Sequence, residues 1–357
     1  MSLWVVVGGQ YGSEGKGKVS AFITKQENID ICVRCGGPNS GHSFADENGK
    51  TIVLRQLPTG FVNPRARLLI PAGALVDPLV LKQEIDFLGL RRGRIGIDRK
   101  CFIIEEKDRE REQSLGLRER LSSTLCGVGA AQSRRVLRGQ DARLARDLSR
   151  DEYPWMSEYL TDVSDEVNTA LDQKKKVLIE GTQGFGLSLY HSDHYPKTTS
   201  RDTTAAGFLS EVGVSPRLVT EIVVVFRTFE IRVAGQQAGP MKDEITWEEL
   251  QKESGYPYPI EEHTSVTHKV RRVGRFDWEL ARRCTQLNRP TRLAINGLDY
   301  LEASNREARA WNELTIKARM FVDRLQRETQ VICSFLGTGP SLAEIIPHGS
   351  LKSLAVA

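Results

Sequence analysis

The chain has 357 residues, 39% of them hydrophobic and 27% charged, which suits one large soluble domain or two ordinary ones and excludes a disordered chain. Its 50 basic residues against 46 acidic ones leave a net charge of only +4, which excludes the strongly basic class of nucleic-acid binders. Six cysteines are too few for a disulfide scaffold, and the apolar run at 68–81 is interrupted by Pro71, Asp77 and Pro78, so a membrane span is excluded too.

Leu3–Val7 reads as the first strand; it is too short, and too directly joined to glycines, to be a secretion signal. "GGQYGSEGKGKVS" follows at Gly8–Ser20, with a helix predicted over Gly15–Lys25. Glycines let backbone N–H groups approach phosphate oxygens, and a helix start adds partial positive charge, so this is phosphate-loop architecture. Against the pattern G-x-x-x-x-G-K-[ST], Gly12, Gly17 and Lys18 match while Val19 replaces the metal-binding hydroxyl, so a conventional P-loop NTPase is not expected.

Ile29–Val33 reads as the second strand. Cys32 and Cys35 are read as two thiols at its end, because Cys101, Cys126, Cys284 and Cys333 supply no second pair for zinc and a redox pair should open a helix. The loop "CGGPNSGHS" at Cys35–Ser43 carries an amide, a flexible glycine and His42, which beside a phosphate loop becomes an acid and phosphate partner. Strands are predicted at Thr51–Leu54 and Leu68–Ile70, and helices at Pro78–Leu88, Glu105–Glu119 and Asp141–Leu171. The charge-dense stretches Glu105–Arg120 and Arg134–Arg150 read as solvated helix faces, bracketing a small-residue loop at Ser122–Ala130 where a ligand would sit.

Strands then follow at Lys176–Ile179, Glu221–Phe226, Thr291–Ile295 and Val331–Phe335, with helices at Asp277–Leu287 and Thr315–Glu328. His191 and His194 lack an obvious third ligand and are not read as a metal site. Several strands are apolar throughout, as strands buried on both faces are. The expectation is an α/β fold with a mostly parallel central sheet flanked by helices and a P-loop-like start. It would form a single domain over 1–357 with long helical excursions at about 105–171, in a reduced, cytoplasmic setting.

Five stretches, "QYGSEGKGK", "GGPNSGH", "EGTQG" (Glu180–Gly184), "YPKTTSRDTTAAG" (Tyr195–Gly207) and "LGTGP" (Leu336–Pro340), occur in the order found in adenylosuccinate synthetases, and the chain resembles that family over nearly its whole length. The resemblance implies that family's fold and a C–N ligase. A nucleoside triphosphate with Mg²⁺ would activate the 6-oxygen of a purine nucleotide, and the amine of L-aspartate would displace the phosphate at C6. Ser13, His42 and Gln183 would be catalytic: Gln183 stabilising an oxyanion at the 6-position and His42 donating to the activated oxygen, while Lys16 and Lys18 hold the phosphoryl charge.

The same resemblance implies Gly12, Glu14, Gly15, Lys16, Gly17, Lys18, Gly41, His42, Asn296, Asp299, Gly337, Thr338, Gly339 and Pro340 around the triphosphate. Ser13, Asn39, Thr124, Gln183 and Thr199 would hold the purine mononucleotide, joined by Arg138 of the partner subunit in a homodimer. Ser13 and Gly41 would face the Mg²⁺. Thr267, Lys269 and Arg271, in "TSVTHKVRRVG", would clamp the aspartate carboxylates, in a segment that is arginine-richer in the family.

Two departures are informative. Ser13 stands where cellular members carry an aspartate that takes the purine N1 proton and binds Mg²⁺, and losing a general base costs roughly 10²–10⁴-fold in rate. With the neighbouring motifs intact, a changed substrate is expected: serine leaves room beside N1 and C2 for the amino group of a guanine nucleotide. In this the chain resembles the phage-type branch of the family, the 2-aminoadenylosuccinate synthetases. That implies dGMP as substrate and N6-succino-2-amino-2′-deoxyadenylate, a precursor of 2-aminoadenine DNA, as product. The alternatives are the conventional reaction with IMP and GTP, or a nucleotide-binding regulator without turnover, against which His42, Gln183 and the two lysines speak. The second departure is "AINGLDYL" at Ala294–Leu301, where Asp299 is kept but Gly297 replaces the family's lysine, so ATP or dATP is expected as donor instead of GTP. Neither nucleic acid nor membrane is an expected partner.

Overall fold

Strand Ser2–Gly8 lies inside a ten-stranded sheet among the described residues, which are 2–46, 49–148, 152–264 and 268–349 of a computed structural model. To one side of it run Lys176–Glu180, Ile31–Arg34, Arg67–Ile70, Ile95–Asp98 and Leu160–Thr161; to the other, Glu221–Arg227, Arg292–Asn296, Cys333–Gly337 and Ile345–Pro347. Every neighbouring pair is parallel except the last, Cys333–Gly337 with Ile345–Pro347. The expected mostly parallel sheet flanked by helices is therefore what the chain forms.

Side-chain alternation explains the apolar runs. Leu3, Val5 and Val7 join one core with the helices Val163–Asp172, Ala205–Val212, Trp278–Asn288 and Ile316–Thr329. Trp4 and Val6 point to the opposite face and pack with Val19 and Ile23 of helix Lys16–Glu27. A strand covered on both faces has no polar side, and each fully buried valine contributes about 1.5–3 kcal/mol. The order of strands reverses around Ser2–Gly8, and a switch of this kind opens a crevice at the carboxyl ends.

Several expectations are corrected. Thr51–Leu54 is a strand, but it pairs antiparallel with His42–Ala45 in a separate hairpin. The helix expected at Glu105–Glu119 is two pieces, Glu106–Ser114 and Leu117–Leu121, broken at Gly116 with φ +61°. The long helix expected over Asp141–Leu171 survives only as Val163–Asp172. Before it come single turns at Ala145–Asp147 and Met156–Tyr159 and the short strand Leu160–Thr161, with 149–151 outside the described residues. Pro154 has no N–H to continue a helix through that stretch.

The loop expected over Ser122–Ala130 ends at Gly127, where helix Val128–Leu137 begins. Nor are the two charged stretches only solvated faces. Arg134 pairs with Asp108 at 2.7 Å and Glu105 at 2.8 Å, and buried Glu112 accepts the N–H groups of Gly127 and Gly129, capping the new helix. Cys32 and Cys35 point to opposite cores, and burial pushes the Cys32 thiol up to about 12, which suits neither metal binding nor redox exchange. Among the described residues no helix is long and apolar enough to cross a membrane.

Candidate active site

At the carboxyl end of Ser2–Gly8 the chain enters the glycine loop, and Gly15, with φ +86°, turns it into helix Lys16–Glu27. Gly17 permits a close approach: a Cβ there would lie 2.5 Å from the Cβ of His42, so only glycine lets the hairpin sit against the helix start. Glu14 organises the loop from within. Its Oε1 accepts the N–H groups of Gln10 at 2.9 Å and Gly12 at 2.7 Å, and its Oε2 pairs with Lys16 Nζ at 2.8 Å. Lys16 Nζ also donates to the Gly12 carbonyl at 3.0 Å, and Lys18 Nζ to the Gly339 carbonyl at 2.6 Å. Asn296 Nδ2 donates to the Glu14 carbonyl at 2.7 Å, tying the loop to strand Arg292–Asn296. Burial lowers both lysines, Lys18 to about 8, with Asp299 and Glu344 opposing part of that fall.

The loop forms one wall of a cavity of about 970 Å³, the upper end of the range for small-molecule sites and room for more than one ligand. Of the residues expected around a triphosphate, Gly12, Glu14, Gly15, Lys16, Gly17, Lys18, Gly41, His42, Asn296, Asp299, Gly339 and Pro340 line it. So do Ser13, Asn39, Thr124 and Gln183, expected on the mononucleotide, and Lys269 and Arg271, expected on aspartate.

Among the described residues, four expected ones are not on that wall. Gly337 backs it, since a Cβ there would lie 2.0 Å from Asn296 Oδ1. Thr338 is fully buried with its hydroxyl turned to the Glu344 carbonyl at 3.3 Å, a supporting position and not a contact one. Thr199 is half-buried outside the lining and gives its N–H to the Leu187 carbonyl at 2.8 Å. Arg138 is exposed just past helix Val128–Leu137, away from the cavity of its own chain. Thr267 lies outside the described residues.

His42 is placed differently from the sequence expectation. Its Nδ1 is hydrogen-bonded to Glu180 Oε1, and Arg34 Nη1 sits 2.7 Å from its Nε2. Glu180 is itself held by Arg34 at 3.0 Å and by the hydroxyl and N–H of Thr59 at 2.7 and 2.9 Å. Burial and the Arg34 charge lower His42 to about 3, against the pull of Glu180, so the free ring is neutral. Arg34 and Glu180 thus hold a ring that lines the cavity. The Arg34–Glu180 pair was not read from the sequence; its only signals were a charged residue closing each of two apolar strands.

Sequence reasoning also missed a polar cluster opposite the loop. Arg227 Nη1 donates to the Ser13 carbonyl at 3.3 Å and to Glu262 Oε2 at 3.0 Å. Tyr300 Oη donates to Glu262 Oε1 at 2.8 Å, and Arg271 Nη1 reaches Glu262 Oε2 at 3.3 Å. Arg271 is thus already paired with a carboxylate of its own chain where an aspartate carboxylate was expected. Tyr256, Tyr258 and Arg306 line the far end, announced in the sequence only by the aromatic "GYPYP". Two buried lysines, a helix start and opposing arginines suit a polyphosphate with a second anionic ligand across from it.

The family description that matches the sequence is adenylosuccinate synthetase, over residues 5–154 and 151–306. Adenylosuccinate synthetase of Thermococcus sibiricus is 41% identical over 350 residues, covering 97% of this chain and 98% of its own. That of Methanocaldococcus jannaschii is 41% identical over 349 residues, covering 96% and 95%. Among solved structures, fully ligated adenylosuccinate synthetase from Plasmodium falciparum aligns with a TM-score of 0.87 at 19% identity, over 98% of this chain and 100% of that one. Succinoaminodeoxyadenylate synthetase of cyanophage S-2L, bound to dGMP and to dATP as an energy donor, aligns with a TM-score of 0.81 at 23% identity, over 97% and 95%. At those identities the two structures speak for the fold.

Proposed function

The chain belongs to the adenylosuccinate synthetase family and is a C–N ligase, and from that premise we propose that it joins L-aspartate to C6 of dGMP with ATP or dATP as donor. The names of the archaeal relatives favour the conventional substrate, IMP, with GTP as donor, and that is the second reading. What supports dGMP is Ser13. It lies in the cavity wall where the family resemblance puts an aspartate, and its carbonyl is fixed by Arg227, so a short neutral side chain stands where the N1–C2 edge of the purine would lie. A guanine 2-amino group fits beside a hydroxyl, whereas the carboxylate of the cellular enzymes would fill that space.

In the reaction the 6-oxygen attacks the γ-phosphorus of the donor, the nucleoside diphosphate leaves, and the purine N1 proton passes to solvent. The aspartate amine, deprotonated, then adds at C6 and gives up a further proton to solvent as inorganic phosphate departs with the C–O bond. Lys16 and Lys18 hold the phosphoryl charge; Gln183, across from Gly12, faces the developing charge at the purine 6-oxygen. His42 becomes a donor when the incoming phosphates outweigh the Arg34 charge and raise its proton affinity. Glu14 is fully committed to two N–H groups and Lys16, so it is no relay for the N1 proton.

Mg²⁺ fits this cavity in one way. Ser13 and Gly41 offer it only neutral oxygens, as an ion held chiefly by substrate phosphates requires, and among the described residues no cluster of three or more His, Cys, Asp or Glu forms a cage. When bound, Mg²⁺ would neutralise charge on the donor phosphates. Arg138 of the partner subunit would reach the 5′-phosphate in a homodimer, for which its exposure outside its own cavity leaves it free.

The test offers the protein aspartate and Mg²⁺ with dGMP or IMP, each with ATP and with GTP, and follows phosphate release. Release with dGMP supports the first reading, and release with IMP alone overturns it in favour of the second. No release with either removes both. Ser13→Asp should shift the preference towards IMP, and an unchanged dGMP/IMP ratio would refute the role given to residue 13. A fully active monomer at assay concentration would refute the part given to Arg138.

A further inference from the structure

Two loops of the cavity wall meet on one side chain that lies outside the cavity. Arg55 directly follows strand Thr51–Leu54, and its backbone N–H is fixed on buried Glu84 of helix Pro78–Phe87 at 2.5 Å. Its half-buried guanidinium is not part of the cavity lining. Instead Nε donates to the Pro38 carbonyl at 2.6 Å, and Nη2 donates to the Cys126 sulfur at 3.2 Å. Pro38 precedes Asn39, Cys126 follows closely on Thr124, and both Asn39 and Thr124 do line the cavity.

Neither Asn39 nor Thr124 belongs to a helix or strand, so their positions depend on what holds the loops. Asn39 lies between two carbonyls gripped from outside: Arg34 Nη2 takes that of Ser40 at 3.1 Å, and Arg55 that of Pro38. Around Thr124, Ser122 and Leu125 have φ of +55° and +54°, a conformation that a leucine adopts when its surroundings impose it. Inside that loop the Leu125 N–H reaches Ser123 Oγ at 3.1 Å, and the Cys126 thiol makes only a long contact of 3.9 Å to the Thr124 carbonyl. From outside, Arg55 holds the sulfur. A guanidinium is a planar fork of donors with fixed spacing, so one arginine sets the distance between the two loops; a lysine ammonium on its flexible stem does not.

We infer that Arg55 is a positioning residue for the mononucleotide: by gripping Pro38 and Cys126 together it holds Asn39 and Thr124 at the separation the nucleotide spans. The inference rests on the mononucleotide reading of those two residues and adds the group that sets them.

Two variants test it. Arg55→Lys keeps the positive charge and loses the fork, and Cys126→Ala removes one end of the bridge without touching the arginine. Initial rates are followed against mononucleotide, donor and aspartate in turn, with the mononucleotide and donor that the intact protein uses. Arg55→Lys should raise the KM for mononucleotide about 10–100-fold, with the KM values for donor and aspartate unmoved. Cys126→Ala should raise the same KM about 3–10-fold, since the Pro38 contact remains, and should add little to Arg55→Lys. A lysine variant with the intact KM would show that charge alone suffices and overturn the role. So would a fall in kcat with that KM unmoved, or equal rises in all three KM values, as a general loosening of the site would give. Cys126→Ala at the intact KM overturns the bridge even if Arg55→Lys fails to fold. An intact protein that turns over neither dGMP nor IMP removes the mononucleotide reading and the inference with it.

Discussion

Glu14 and Lys16 form an ion pair of 2.8 Å inside the phosphate loop, with both side chains buried. The carboxylate sets the loop through two N–H groups and supplies the counter-charge of Lys16 until a phosphate arrives. Glu14→Gln leaves a buried ammonium uncompensated, and breaking a buried pair from one side costs about 3–5 kcal/mol. The variant should therefore melt earlier. ATP with Mg²⁺ should raise its Tm more than that of the intact protein, because the phosphate replaces the missing anion. Thermal denaturation with and without nucleotide measures this, and equal shifts in both proteins would contradict it.

Gly337 tests the backing of the same wall. A methyl group there would meet Asn296 Oδ1 at 2.0 Å and Lys18 Nζ at 2.7 Å. Both atoms end side chains that can move, so Gly337→Ala should fold, but with Lys18 and Asn296 displaced from Gly339 and Glu14. The expected outcome is a loss of triphosphate affinity of about tenfold or more, since a charge-assisted contact carries about 1.5–3 kcal/mol. Nucleotide binding by calorimetry reads it directly; wild-type affinity would show that the wall tolerates the shift.

The parts of the fold legible in the sequence were those dictated by local chemistry. Leu3–Val7 and Glu221–Phe226 are apolar on both faces because helices cover both, and a glycine-lysine loop after such a strand has few other uses. What escaped depended on partners distant in sequence. Arg134 and Asp108 look solvent-facing until 26 positions of chain fold back to pair them, and Glu112 looks like a surface charge until it caps Gly127. At the site the loops were visible and the supports were not: Arg34, Glu180, Arg227, Glu262 and Tyr256 each act through a residue elsewhere in the chain, so a charge closing a strand or an aromatic stretch marked some of them without showing what they do. Even His42 was recognisable as a residue and not in its posture against Arg34 and Glu180.

The thiols make a simpler prediction. Cys32, Cys35, Cys101, Cys284 and Cys333 are buried, whereas Cys126 is half-exposed with Arg55 Nη2 3.2 Å from its sulfur. Burial holds the five buried thiols above their ordinary range, which keeps them neutral and unreactive. A native thiol titration should therefore find one fast-reacting group, abolished by Cys126→Ser, and six after denaturation. A second fast thiol in the native protein would show that one of the buried positions opens.

Glu230 predicts a pH dependence of stability. It lies in strand Phe229–Arg232, fully enclosed, and burial followed by the charge of Asp277 raises its carboxyl from an ordinary 4.5 to about 8. The Arg232 charge and the nearby polar groups of Gln10 and the Asp277 backbone offset only part of that rise, and neither carboxyl oxygen has a hydrogen-bond partner. A carboxyl raised on folding is protonated in the native state at neutral pH. Its contribution is fully present below the unfolded value and is lost as pH climbs through about 8, because the unfolded chain releases the proton first. Between pH 6 and pH 9 the intact protein should lose roughly 2–3 kcal/mol through this group. Glu230→Gln keeps the shape and the neutral charge but has no proton to release, so its stability should fall less over the same interval, and at pH 9 it should be the more stable protein. Denaturant midpoints at pH 6 and pH 9 decide it; parallel pH slopes in the two proteins would mean that Glu230 is already ionised in the folded state.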